Sequence, residues 1–272
     1  MRHHGAVNND ENPVDEPSAS RDNSRLYPRV TSFRFRRGSL TTGQRRNWET
    51  LWPTLGRDLQ TGQDAADDEP PLDQTQWFGR KAPLVIEVGS GTGISTAAMA
   101  EAEPDVDVVA VEVYQPGLAQ LVGLVDRGGL ENVRMIRGDA TVVFSELVAS
   151  NSLTGVRVFF PDPWPKTRHH KRRFLQSGTI ELIADRLAPG GVLHIATDHA
   201  DYALWIAELL ATQHPDRAHV VPLTFDSPIL LERPTTKFEG RAQVEGREVN
   251  EFVYVKPYPR VQASGQSQED PS

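Results

Sequence analysis

Three acidic residues each follow a short apolar run, and together they could hold a ligand that contains a nucleoside. Glu87 precedes the glycine turn Gly89–Gly93, Glu112 directly follows Val111, and Asp139 comes after a third run. A carboxylate at Glu87 suits a cationic amino group and would repel a pyrophosphate. Glu112 is placed to accept hydrogen bonds from both hydroxyls of a ribose, and Asp139 could accept from an adenine amino group. Each acid alone could be a helix N-cap or a surface charge, but the three together indicate a cofactor site.

The glycine turn separates two classes of nucleotide ligand. Its spacing is Gly-x-Gly-x-Gly, whereas the dinucleotide fingerprint would need its last glycine at position 94, which is Ile94. Glycines let a ligand approach the backbone closely, and the N-terminus of the following helix favours a negative group. The expected cofactor is therefore S-adenosyl-L-methionine rather than NAD. The expected cofactor-binding residues are Glu87, Gly89, Gly91, Glu112, Asp139 and Ala140.

The most specific stretch of the chain is Pro161–Arg173, with the sequence PDPWPKTRHHKRR. Its three prolines restrict the backbone around Asp162 and Trp164. Five of the eight residues from Lys166 to Arg173 are Lys or Arg. This run could be the solvated start of a helix, but cations are disfavoured at a helix N-terminus. A polyphosphate backbone is the simplest partner for it.

Alternating apolar runs and helical patterns predict the elements that position these residues. β-branched runs that are apolar on both faces predict the strands Leu84–Val88, Val106–Val111, Val133–Ile136, Val156–Phe160 and Val192–Ile195. Helical spacing is present at 175–187 and 202–212, and two late strands are predicted at His219–Phe225 and Val249–Lys256. Such an order predicts an α/β fold with a mostly parallel, doubly wound sheet covered on both sides.

The Pro161–Arg173 stretch, the Glu87–Gly93 turn and the later Thr236–Glu239 segment resemble the bacterial tRNA (guanine-N7-)-methyltransferase family. The resemblance covers the chain from about Arg34 to Tyr258. It implies a Rossmann-like class I methyltransferase fold with a final antiparallel strand at Val249–Lys256. It also implies transfer of the methyl group of S-adenosyl-L-methionine to N7 of guanosine 46 in the variable loop of tRNA.

The resemblance further implies roles for individual residues. Asp162 would contact the cofactor, and it is also the candidate catalytic residue, because methylation of N7 creates a positive charge that a carboxylate stabilises. Guanine N7 carries an in-plane lone pair, so no general base is needed. The implied substrate contacts are Lys166, Asp198, Thr236, Lys237, Phe238 and Glu239, and the implied RNA contacts are Arg168, Lys171, Arg172 and Arg173. Two alternatives stay open: a methyltransferase for another RNA site, and a non-catalytic RNA-binding protein that keeps a relic fold.

The net charge of −8 is concentrated in segments that we expect to be peripheral. Residues 1–24 and 261–272 lack hydrophobic periodicity and are expected to be disordered tails, and residues 58–73 are expected to form an acidic loop, inserted relative to the family. Residues 25–57 form an arginine-rich arm with interleaved aromatic residues, which suits an RNA surface or else wraps the domain as a solvated arm. Residues 74–260 are expected to form the methyltransferase domain.

The composition excludes several classes of function. The 272 residues include no cysteine, which removes thiol nucleophiles, thiolate metal sites and disulfides. His3 and His4 have no supporting ligands nearby, so no metal is expected. No apolar run is long enough to cross a membrane and no secretory signal begins the chain, so a cytoplasmic protein is expected. No feature of the sequence marks an interface between subunits, so the oligomeric state stays open.

Overall fold

The computed structural model of the chain describes residues 32, 38–59, 70–212, 219–234 and 248–259. The predicted tails at 1–24 and 261–272, most of the acidic loop and the segment Thr236–Glu239 lie outside the described residues. None of the described helices is long and apolar enough to cross a lipid bilayer.

A mixed sheet of eight strands organises the described part of the chain. Its strands lie in the order β1-β4-β3-β2-β5-β6-β8-β7, and every neighbouring pair is parallel except β6–β8 and β7–β8. The predicted α/β class, with a mostly parallel sheet and a final antiparallel strand, is therefore confirmed. The strands are β1 Gly56–Asp58, β2 Leu84–Val88, β3 Asp107–Glu112, β4 Val133–Arg137, β5 Leu153–Phe159, β6 Leu187–Thr197, β7 Val221–Pro222 and β8 Asn250–Val255.

Helices cover both faces of the sheet, because the central strands are apolar on both sides. In β3, Val108 and Ala110 belong to a cluster with α1, α3 and α4, whereas Val109 and Val111 belong to a second cluster with α6 and α7. The helices are α1 Thr42–Leu55, α2 Gln74–Phe78, α3 Ile94–Ala102, α4 Gln115–Gly128, α5 Ala140–Val142 with the π-helical turn Val143–Leu147, α6 Ser177–Arg186 and α7 Ala200–Ala211, and a 3₁₀ helix spans Thr167–Arg172.

The sheet order places the chemical motifs at one edge. β2 has β3 on one side and β5 on the other, so the strand order reverses between β2 and β5. Ligands of such sheets bind beyond the carboxyl ends of the strands at this reversal. The glycine turn leaves β2 there, and the Pro161–Pro165 loop leaves β5 beside it. We refer to this rim as the active edge.

Two parts of the structure differ from the sequence predictions. The strand predicted at His219–Phe225 is reduced to Val221–Pro222, which pairs with Val255 and Tyr254 of β8. Residues 42–58 form α1 and β1, and β1 pairs with β4 through Gly56 and Met135. The last part of the arginine-rich arm therefore belongs to the sheet domain. Of the predicted acidic loop, residues 60–69 lie outside the described residues.

Candidate active site

The glycine turn adopts a backbone that only glycine tolerates easily. Gly89, Gly91 and Gly93 have φ values of 73°, 58° and 72°, in the left-handed region. A Cβ atom built on Gly89 would meet no atom within 4 Å, whereas one built on Gly93 would lie 2.5 Å from Leu121. Gly93 thus serves packing against α4, and Gly89 borders open space at the active edge. That space can accept a ligand close to the backbone.

Glu87 is a buried carboxylate beside this turn. The residue is 3% exposed, and its Oε2 has no hydrogen-bond partner among the described residues. Burial raises the pKa of the Glu87 carboxyl, and the positive charge of Arg157 and the nearby Thr96 side chain oppose that rise. A buried carboxylate oxygen without a partner is costly unless a ligand satisfies it. A ligand ammonium group would satisfy it, which fits the amino group of S-adenosyl-L-methionine.

We predict that Glu87→Gln stabilises the ligand-free protein above pH 4.5 and weakens cofactor binding. The carboxyl keeps its proton to higher pH when folded than when unfolded, so ionisation of the unfolded state above the ordinary pKa of 4.5 lowers the free energy of unfolding. Glutamine removes this loss. It would also remove the charged contact expected with the ammonium group of the cofactor, which should raise the Kd for S-adenosyl-L-methionine by about 10- to 100-fold.

Urea unfolding from about pH 5 to pH 8 and calorimetric titration of the cofactor measure the two effects. Glu101→Gln, at an exposed position of α3, is the matched control and should change neither. A Glu87→Gln protein with unaltered cofactor affinity would contradict the binding role.

Glu112 joins the end of β3 to the glycine turn. Its Oε2 accepts from Gly91 N at 2.9 Å, and its Oε1 accepts from Val113 N at 2.7 Å and Tyr114 N at 2.9 Å. These bonds orient the carboxylate and use both lone pairs of Oε1, whereas Oε2 can still accept from a further donor. The sequence pattern predicts the acid but not its hydrogen bond to the glycine turn, because that bond requires the pairing of β2 with β3.

Asp139 caps the short helix α5, with its Oδ1 accepting from Thr141 N at 2.9 Å. Asp139 is therefore a helix N-cap through its Oδ1, whereas its Oδ2 takes no part in the capping hydrogen bond. The neighbouring Ala140 is 7% exposed. Because β4 lies next to β3 in the sheet, Asp139 and Ala140 share the active edge with Glu112.

The loop that carries Asp162 is held on both sides of that residue. Before it, Phe160 N donates to Ala196 O at 2.8 Å, and Phe160 has a positive φ of 51°. After it, Trp164 is 4% exposed and its Nε1 donates to Ser32 O at 3.0 Å. Trp164 therefore packs on the scaffold. Asp162 itself is partly exposed, so a fixed backbone presents a carboxylate at the active edge.

The basic run divides into exposed and buried cations. Lys166, Arg168 and Lys171 are exposed. Arg172 lies over the Trp164 ring, with its guanidinium carbon 3.9 Å from the ring centroid. Lys166, Arg168 and Lys171 thus face solvent, whereas Arg172 packs against the loop.

Arg173 is turned inward and is 2% exposed. Its Nε donates to Pro163 O at 2.9 Å, and its guanidinium forms an ion pair with Asp201. The same group lies 4.9 Å from the Tyr202 ring centroid. In this conformation Arg173 supports the backbone next to Asp162 and does not face an RNA ligand, which differs from the contact that the resemblance implied.

Asp198 follows β6 and is partly exposed at the active edge. Because β5 and β6 are neighbours, Asp162 and Asp198 leave adjacent strands. The other predicted substrate residues, Thr236–Glu239, lie outside the described residues. Within the described ranges no group of three or more His, Asp or Glu side chains could hold a metal ion.

A row of buried polar residues that was not predicted from the sequence crosses the sheet behind the active edge. Glu87 in β2 pairs in register with Arg157 in β5, which pairs with His194 in β6. Arg157 is fully buried and donates to Glu103 Oε2 at 2.5 Å and to Leu230 O at 3.1 Å. The available signal was a single arginine inside the apolar run Val156–Val158, but its partners depend on strand order.

The sequence matches a protein family model and several known proteins over most of its length. A protein family model described as "Putative methyltransferase" matches residues 81–252. A tRNA (guanine-N(7)-)-methyltransferase of Mycobacterium avium (strain 104) is 52% identical over 263 residues, which cover 94% of this chain and all of that protein. The protein of the same name from Nocardia farcinica is 52% identical, with 90% of each chain covered. The one from Corynebacterium diphtheriae is 50% identical, with 84% of this chain and 86% of that protein covered.

Proposed function

The chain belongs to the tRNA (guanine-N7-)-methyltransferase family, and we propose that it transfers a methyl group from S-adenosyl-L-methionine to N7 of a guanosine in tRNA. We place the acceptor at guanosine 46 of the variable loop. The observation that carries the proposal is the Glu87 carboxylate, buried without a partner for Oε2 beside a glycine turn that borders open space.

The cofactor would be held by residues of three adjacent strand ends. Glu87 would bind the ammonium group of the cofactor, Glu112 its ribose hydroxyls and Asp139 its adenine amino group. Gly89 and Gly91 would let the cofactor lie close to the backbone of the turn. When bound, S-adenosyl-L-methionine supplies an electrophilic methyl group on a sulfonium. Glu112 and Asp139 already accept hydrogen bonds from backbone N–H groups, which hold their carboxylates in place. Binding of the cofactor therefore costs little further side-chain entropy at these two residues.

Asp162 is the proposed catalytic residue. The attacking N7 needs no proton removed, so the chain has to align the base and stabilise charge. Alignment of the two reactants can supply up to ~7–11 kcal/mol. The carboxylate of Asp162 would stabilise the positive charge that develops on the guanine ring.

The tRNA backbone would bind at the exposed cations of the basic run. Lys166, Arg168 and Lys171 lie beyond the carboxyl end of β5, within nine residues of Asp162 along the chain. Salt-dependent contacts of this kind position a nucleic acid without reading its sequence. Recognition of the guanine itself would come from Asp198 and the segment Thr236–Glu239.

Incubation of the purified protein with unmodified tRNA and S-adenosyl-L-methionine tests the function. After nuclease digestion, mass spectrometry should detect 7-methylguanosine, and mapping of the fragments should place it in the variable loop. Formation of a different methylated nucleoside would favour the alternative of another RNA site. Cofactor binding without any methylation of RNA would refute the proposed reaction.

We predict that the double substitution Arg168→Gln/Lys171→Gln weakens tRNA binding and flattens its salt dependence. Each cation that contacts a phosphate contributes roughly 0.7–0.9 to the slope of log K against log salt concentration, so the slope should fall by about 1.5. Fluorescence titration at several salt concentrations measures it. Lys81→Gln, an exposed lysine before the amino end of β2, should leave the slope unchanged. Equal slopes for the double variant and the wild type would exclude these side chains as phosphate contacts.

A further inference from the structure

Asp201 is the second residue of α7, just beyond the carboxyl end of β6, and its carboxylate pairs with the buried Arg173. We propose that Asp201 is a positioning residue for methyl transfer, which acts through Arg173 to hold the loop that carries Asp162. This inference rests on the function proposed above and adds a residue to which no role was assigned from the sequence.

Arg173 links two parts of the chain through one rigid guanidinium group. Its Nε donates to Pro163 O at 2.9 Å, and a terminal nitrogen donates to Asp201 Oδ2. The same group lies 4.9 and 5.2 Å from the ring centroids of Tyr202 and Trp205. Because a guanidinium is planar, a change at one of its hydrogen bonds turns the donor that faces the other. Asp201 therefore helps to orient the N–H group that holds Pro163 O.

The pair also joins the two loops that carry the candidate substrate acids. Pro163 directly follows Asp162 after β5, and Asp201 comes three residues after Asp198, which follows β6. β5 and β6 are neighbouring parallel strands, so the link through Arg173 crosses between their carboxyl ends. It fixes the position of one loop relative to the other. Displacing a reacting group by about 1 Å can cost 100-fold in rate, so this link should affect the chemical step.

The two members of the pair differ in burial. The side chain of Arg173 is 1% exposed and that of Asp201 is 56% exposed. The hydrogen bond from Arg173 lowers the pKa of the Asp201 carboxyl, which is therefore ionised at neutral pH. His170 Nε2 lies 3.7 Å from the same carboxylate oxygen, too far for a hydrogen bond. Substitution of Asp201 thus changes the pair at its solvent-exposed end and leaves the buried arginine in the core.

The charge of Asp162 acts on the same group of side chains. Burial raises the pKa of the Tyr202 hydroxyl, the hydrogen bond with Leu175 and the charge of Arg173 oppose that rise, and the negative charge of Asp162 adds to it. The Tyr202 hydroxyl accepts from Leu175 N at 3.1 Å, so it has a fixed position. Asp162, Tyr202 and Arg173 therefore interact electrostatically, and a shift of Arg173 would change the surroundings of the Asp162 carboxylate.

Single-turnover kinetics of Asp201→Asn test the proposal. At saturating tRNA and cofactor we expect the rate to fall about 10- to 100-fold, because the proposed catalytic carboxylate is no longer held in place. The Kd for tRNA and the Kd for S-adenosyl-L-methionine should each stay within about threefold of wild type. Asp201→Glu keeps the negative charge and should recover most of the rate.

Asp185→Asn is the matched control. Arg186 also donates through its Nε to a backbone carbonyl, Phe144 O at 2.6 Å, and pairs with Asp185, whose side chain is 52% exposed. This second pair lies before the amino end of β6, on the opposite side of the sheet from the active edge. Asp185→Asn should therefore keep the wild-type rate. An equal fall in both variants would assign the effect to stability and overturn the proposal.

Combination with Asp162→Ala shows whether Asp201 acts through Asp162. Residues that act through one another are not additive. In the Asp162→Ala background, Asp201→Asn should therefore lower the rate no further. The full additional loss in that background would overturn the proposal, and so would a wild-type rate in Asp201→Asn alone. A loss of tRNA affinity at an unchanged rate would also overturn it, since the pair would then serve RNA binding.

The proposed function and this inference fail in different ways. A wild-type protein that forms no 7-methylguanosine would refute the function. Hydrogen exchange of residues 166–173, followed by mass spectrometry, then tests the positioning role without any activity. Asp201→Asn should exchange there at least about tenfold faster than wild type, whereas Asp185→Asn should not. Equal exchange in Asp201→Asn and wild type would overturn the positioning role.

Discussion

Asp162→Ala should lower kcat for tRNA methylation by about 100- to 1,000-fold, the range found when one preorganised electrostatic contact is removed from a transition state. Asp162→Asn should lose nearly as much, because it keeps the shape of the side chain and removes its charge. The Kd for tRNA should change by less than about threefold in both. Single-turnover measurements at saturating tRNA and cofactor separate the chemical step from binding.

The structure makes this a test of charge rather than of loop integrity. Trp164 is anchored through its indole N–H and Arg173 holds Pro163 O, so neither contact uses the Asp162 carboxylate. The loop should therefore keep its shape in both variants. Asp105→Asn, at an exposed position before the amino end of β3, is the control for a general loss of charge. Full turnover in Asp162→Ala would exclude the catalytic role and leave alignment as the source of the rate.

The strands of the active edge could be predicted because each is a run of consecutive, mostly apolar residues, which indicates a strand buried on both faces. Leu84–Val88 is apolar on both faces, lies between Pro83 and the glycine turn, and has the predicted bounds. By contrast, β1 contains only Gly56, Arg57 and Asp58, and nothing in three such residues indicates a strand. It exists because β4 offers a free edge at Met135–Arg137, which is a property of the assembled sheet.

The candidate site divides in the same way. The shared position of Glu87, Glu112 and Asp139 could be predicted because each lies at or just beyond the carboxyl end of its own strand, and parallel strands bring such residues to one edge. The inward position of Arg173 could not, because the run from Lys166 to Arg173 looks uniformly basic in sequence. Its burial depends on Asp201, in a helix that packs from elsewhere in the chain. Whether a cation faces solvent or the core is decided by tertiary contacts.

Arg157→Met should destabilise the ligand-free protein by about 3–5 kcal/mol, the usual cost of removing one partner from a buried ion pair. Arg157 is fully buried in β5, and its partner Glu103 has a side chain that is only 9% exposed. Glu87, its register neighbour in β2, would also lose the positive charge that opposes its desolvation. The carboxylates of Glu103 and Glu87 would then lack a nearby cation. Methionine fills a similar volume but supplies no positive charge.

Denaturant unfolding at neutral pH measures this loss, and two further variants identify its cause. Arg137→Met removes a half-exposed pair with Asp58 from β4, and such pairs contribute about 0–1 kcal/mol. Adding Glu103→Gln to Arg157→Met should recover part of the stability, because one stranded carboxylate is gone. If Arg157→Met unfolded at the same denaturant concentration as Arg137→Met, the buried row would not stabilise the fold. If Arg157→Met lost much stability and the double variant recovered none of it, the cost would arise from packing or from Glu87. Adding Glu87→Gln to Arg157→Met would separate those two causes.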